Sequence, residues 1–173
     1  MSLWTFLGFE TEPQRGAAAE TESVRKVVQA LDHMDEAHAR YIAAFGYILG
    51  RVANADLKIS PEETTAMEQI IQLRGGIPES EAIIVVQMAK TRASLFGGTE
   101  NFLVTREFDR IATREQKLAL LDCLFAVAAA EGHISVTEDN EIKQISQELH
   151  LDHPDFIAVR SNWRNELGVL QGL

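Results

Sequence analysis

Four acidic side chains stand at two matching places in the chain. Asp56 and Glu63 belong to ADLKISPEE (55–63), and Glu131 and Glu138 to AEGHISVTE (130–138). Within each pair the acids are seven residues apart across a turn, so they can approach one point from two sides of a corner. Ca2+ and Mg2+ take oxygen ligands that converge in this way. Asp56, Glu63, Glu131 and Glu138 are therefore the candidate metal ligands. If the two corners met, a cation, a proton or a basic neighbour would have to relieve the repulsion among four carboxylates. The same letters also fit a purely structural chemistry. Ser60-x-x-Glu63 and Ser135-x-x-Glu138 have the spacing of a capping box, in which the glutamate returns to the backbone and needs no metal. Asp56 and Glu131 would then accept bonds from amides of the turn. Both alternatives stand: capping alone, or capping together with a cation.

Other reactive groupings are hard to find. No D-x-D-x-D-G loop is present. His33, His38, His133, His150 and His153 follow no zinc spacing, although His133 could join Glu131 on a softer metal. Cys123 is the single cysteine, and its apolar surroundings (LALLDCLFAVAAA) mark a buried small hydrophobe in a reducing compartment. Gly75-Gly76 and Gly97-Gly98 lack the Gly-Lys-Ser/Thr ending of a phosphate loop. No base, nucleophile and oxyanion donor can be named together, so a non-enzyme is expected, with carboxylate–metal hydrolysis as the enzymatic rival. The 26 Asp and Glu outweigh 16 Lys and Arg, and a net charge of −10 repels nucleic-acid phosphates. No apolar run is long enough to span a membrane, and MSLWTFLGFE lacks a basic start, so a cytoplasmic location is expected. Trp4, Phe6, Leu7 and Phe9 in that arm are expected to dock on their own domain or on a second copy, as in a homodimer.

Helices must hold these corners. Apolar residues recur at three and four rather than at two, which predicts an all-α fold: a compact bundle of about seven to eight helices. The first helix is expected over 22–31, after an arm and linker at 1–20, and a long second one over 36–55. The third follows Ser60, with Pro61 in its first position, and ends at Gly75-Gly76. The fourth is expected over 79–93, and the fifth from a Thr99 cap to Arg110. Thr113-x-x-Gln116 is a further capping box that opens the sixth helix. From Leu118 to Ala130 only Asp122 is charged, and a helix apolar on nearly all sides belongs in the centre. The seventh helix follows Ser135. The eighth is capped by Asp152 and is expected to carry Phe156, Trp163 and Leu167.

A shift of 75 residues lays Leu49, Val52 and Ile59-Ser60 on Leu124, Val127 and Ile134-Ser135. Units at about 36–93 and 113–168 therefore look like two copies of a helical hairpin, packed in one domain (21–173) with approximate two-fold symmetry. Each Ile, Ile59 or Ile134, can staple its corner.

At these joints the chain resembles the tellurite-resistance TerB-like family, whose signature Ala-Asp-Gly-x-Ile-Ser-x-x-Glu usually occurs twice in an all-α domain. The resemblance covers about 36–160. Leu57 replaces the signature glycine in the first copy, and Glu131 replaces the aspartate in the second. Gly132 keeps the residue suited to a positive-φ turn. Related domains occur in some membrane-anchored DnaJ-type co-chaperones and in bacterial stress-response operons. The resemblance implies a bacterial, non-enzymatic scaffold or sensor with an acidic metal site and an unidentified protein partner. The rival is a pure interaction module using the N-terminal arm or the Phe96–Phe108 region.

Overall fold

Helix starts follow the caps written in the sequence. The computed structural model describes residues 18–53, 60–96, 101–130 and 132–168. Among them eight α-helices run in order: α1 (Ala18–Asp32), α2 (Glu36–Val52), α3 (Pro61–Gly75), α4 (Glu79–Phe96), α5 (Asn101–Ile111), α6 (Arg114–Ala129), α7 (Val136–Glu148) and α8 (His153–Ser161). A short 3-10 turn, Arg164–Glu166, follows. Asp35, Ser60, Thr113, Ser135 and Asp152 each accept a bond from an amide in the first turn of α2, α3, α6, α7 and α8 respectively. Gly76 (φ 65°) and His150 (φ 54°) turn the chain left-handed after α3 and α7. No helix among the described residues is long and apolar enough to cross a membrane.

Several boundaries differ from expectation: α2 ends at Val52 rather than near 55, and α4 runs on to Phe96 rather than 93. Helix α1 begins at Ala18 rather than Glu22, because Ala18, Ala19 and Glu20 favour helix. Helix α8 ends at Ser161, so Trp163 and Leu167 lie beyond it; Leu167 instead pairs through its backbone with Ile134. The arm residues Trp4, Phe6, Leu7 and Phe9, and the Thr99 cap, lie outside the described residues.

The centre is shared by two helices. Helix α6 buries Leu120, Leu121 and the run from Cys123 to Ala128, as its apolar letters predict. Helix α2 is buried at every position from Ile42 to Val52, and it touches α1, α4, α5, α6 and α7. The contact of α2 with α4 is close: a Cβ on Gly46 would lie 2.7 Å from Met88 Cβ and 2.8 Å from the Val85 carbonyl. Tyr41, Phe45 and Phe108 cluster where α2 meets α5, with Tyr41 stacked on Phe108 and Phe45 edge-on to Phe108. Helix α3 lies on α6, and α7 crosses to α2. The two serine–glutamate capping boxes are alike, but the packing around them is uneven: α2 lies along α4 far more extensively than α6 lies along α8.

Candidate functional site

The described part of each acidic corner is a complete capping box. In the first, Ser60 is extended (φ −68°, ψ 162°), and its Oγ accepts from the Glu63 amide at 3.1 Å. Glu63 Oε2 accepts from the Ser60 amide at 2.6 Å. In the second, Ser135 (φ −66°, ψ 159°) makes the same exchange with Glu138, at 3.1 and 2.8 Å. Ser135 Oγ also donates to Glu138 Oε2 at 2.7 Å. These bonds satisfy amides that the first turn of a helix leaves without partners. The first box is exposed at Glu63, whereas the second is half-buried. Gly132 adopts φ 107°, the positive angle its residue type suggested, and Ile134 is fully buried behind it.

Asp56 and Glu131 lie outside the described residues, as do Leu57, Lys58 and Ile59. Glu63 and Glu138 are held, each by Oε2, and each has Oε1 outside its box. A hard cation takes six or more oxygens. Glu63 and Glu138 therefore fit as one carboxylate ligand per corner, and further oxygens would have to come from residues 54–59, from position 131 or from water. Among the described residues no group of three or more His, Cys, Asp or Glu gathers as a metal site. His133 is exposed at the second corner, and His150 pairs with Asp109 at 2.8 Å instead of facing a metal cluster.

The sequence matches the family model described as tellurite resistance protein TerB over residues 41–161. The chain belongs to the TerB family. The match opens in α2 at Tyr41 and closes on Ser161, the last residue of α8, so it takes in both TerB corners. No curated protein and no solved structure matches the chain.

Two side-chain clusters, the second reaching past the matched residues to Trp163, were not foreseen from the sequence. Arg51, in the last turn of α2, has a side chain only 2% exposed. Its Nε donates to Glu141 at 2.8 Å, and its Nη1 donates to both Glu148 and Thr105 at 2.7 Å. The guanidinium thus joins α2, α5 and α7. Burial works against its charge, but the bonds and charges of Glu148 and Glu141 outweigh that and hold it firmly protonated. Glu141 lies six residues beyond the Ser135 cap, about 9 Å along the helix. Arg51 in turn precedes the first corner by only a few residues, so one fixed cation ties the approaches to both TerB corners together. A charge closing the apolar run Tyr41–Gly50 was the only local signal, and it named no partner.

Asp122 carries a similar signal in α6. Its Oδ2 accepts from Arg74 Nη1 and its Oδ1 from the Trp163 indole, both at 2.9 Å. The Arg74 guanidinium also lies over the Trp163 ring, 4.6 Å from its centroid. Cys123 is fully buried beside it. Burial, reinforced by the charge of Asp122, pushes its thiol up to about 12. A thiol in that state is no nucleophile at neutral pH.

Proposed function

We propose that this TerB-family chain is a non-enzymatic scaffold or sensor of a bacterial stress response, and that a divalent cation such as Ca2+ or Mg2+ tunes it at the two acidic corners. Asp56 with Glu63, and Glu131 with Glu138, are the proposed ligands. The observation that carries this reading is the pair of capping boxes. They hold the Glu63 and Glu138 carboxylates by one oxygen, beside a second acid in the sequence. A cation seated there faces the positive end of a helix dipole. Its affinity is therefore expected to be weak, on the order of 0.1–1 mM. Binding would draw the turn and the helix start together and fix a surface that a protein partner reads.

Isothermal titration of chelator-stripped protein with Ca2+, Mg2+ and Zn2+ tests the cation. Heat and a rise in melting temperature are expected, both reduced by Glu138→Gln. No heat and no rise at millimolar metal removes the cation from the reading.

The rival reading, an interaction module whose acids only cap, draws support from Phe102 and Leu103. These side chains are 57% and 56% exposed on α5. It predicts that deleting residues 1–15, or Phe102→Ser, alters partner capture or oligomeric state, while Glu63→Gln alters stability alone. Unchanged capture and oligomeric state in both variants would remove it.

A further inference from the structure

After α8 the chain does not leave the surface freely. Trp163 is anchored on Asp122 and Arg74, the chain makes a single 3-10 turn, and Leu167 extends (φ −70°, ψ 116°) against the second corner. There the Ile134 amide donates to the Glu166 carbonyl at 2.6 Å, and the Gly168 amide donates to the Ile134 carbonyl at 2.8 Å. This parallel bridge is the only one outside helices among the described residues. It satisfies both backbone groups of a fully buried residue that neither α6 nor α7 includes. Leu167 is itself 1% exposed. A Cβ at position 168 would stand 2.8 Å from the Ile134 carbonyl, so only glycine fits the pairing as it stands. Arg164 and Asn165 between the two anchors are exposed. The segment thus hangs on a ring at one end and a corner at the other. All of it lies beyond the residues that match the family.

We propose that Trp163–Gly168 is a strap that opens and closes on the second corner ahead of the rest of the fold, so that the state of the strap and the state of that corner are linked. A short segment outside the α-helices, exposed at Arg164 and Asn165 between its two anchors, is of the kind that opens locally before the packed helices do. When this one opens, Ile134 loses both partners and Gly132–Ser135 is no longer held from outside. Linkage makes the relation mutual: whatever binds the closed corner closes the strap, and whatever captures the strap loosens the corner. The proposal does not depend on a cation being the input.

Amide hydrogen exchange on the full chain, resolved by NMR, tests it. In the wild-type protein the Ile134 amide is expected to exchange at least tenfold faster than those of Ile48 and Leu124. Gly168→Val places a side chain against the Ile134 carbonyl and is expected to speed Ile134 at least another tenfold while Ile48 and Leu124 hold. Leu167→Ala, which keeps the glycine, should do the same more mildly. If Gly168→Val does not fold, the wild-type ranking and Leu167→Ala decide. Exchange of Ile134 at the core rate in the wild type, or in step with Ile48 and Leu124 in the variants, overturns the proposal.

Discussion

Arg51 and Glu148 stand 97 residues apart in the chain, yet Arg51 Nη1 meets Glu148 Oε2 at 2.7 Å in the interior. A buried ion pair of this kind contributes little over a well-packed apolar replacement, but removing one partner strands the other charge. Arg51→Met is therefore expected to cost roughly 3–5 kcal/mol by chemical denaturation. Its pH dependence follows from Glu148. Burial pushes that carboxyl up, but bonds from Arg51 and Gln144 and the charge of Arg51 outweigh it and hold the group below its usual value. A lowered carboxyl contributes stability that is full above its unfolded pKa, about 4.3, and is lost as pH falls through the folded value. The acid limb of the wild-type stability curve is thus expected below about pH 4, and Arg51→Met should move it to higher pH.

The two serine caps can be weighed against each other. Ser60→Ala is expected to cost about 1 kcal/mol, as an exposed N-cap does. Ser135→Ala should cost more, up to about 2 kcal/mol, because its hydroxyl also donates to Glu138 inside a half-buried corner. Urea denaturation of both variants gives the ranking.

Asp122 separates an ion pair from a hydrogen bond. Asp122→Asn keeps an acceptor for the Trp163 indole and gives up only the charge on Arg74, whose side chain is 44% exposed. That loss is expected to stay below about 1 kcal/mol. Asp122→Ala leaves the indole N–H without its acceptor and should cost about 1–3 kcal/mol. The indole resonance of Trp163 is expected to move in the alanine variant and to stay near its place in the asparagine variant.

Cys123 should resist thiol reagents in the folded protein, since it is buried and its thiol titrates at about 12. Reaction with an aromatic disulfide reagent at pH 8 is expected to be slow, and to become immediate in denaturant. Fast labelling of folded protein would contradict the burial.

What the sequence made legible was local. Ser60 with Glu63, Thr113 with Gln116 and Ser135 with Glu138 interact over three residues, so their spacing alone announces the helix starts, and all three boxes form. The apolar run around Cys123 likewise placed α6 in the centre. Arg51 was not legible, because its partners lie on helices far along the chain and no local period records them. Trp163 and Leu167 misled for a definite reason. With Val159 they keep a spacing of four, which imitates a helix stripe, yet Trp163 is held by Asp122 and Leu167 is buried through the Ile134 bridge. Of the acidic corners, the glutamates could be read as caps from sequence, because a capping box closes over three residues.

Helix α2 is enclosed by five neighbours drawn from both ends of the chain. A rod sheathed in this way cannot be peeled off one layer at a time without opening the interior. Neither half should therefore melt alone, and heating should give one all-or-none transition whose calorimetric and van't Hoff enthalpies agree. A polypeptide cut between α4 and α5 would bare the flanks of α2, and is expected to aggregate rather than fold.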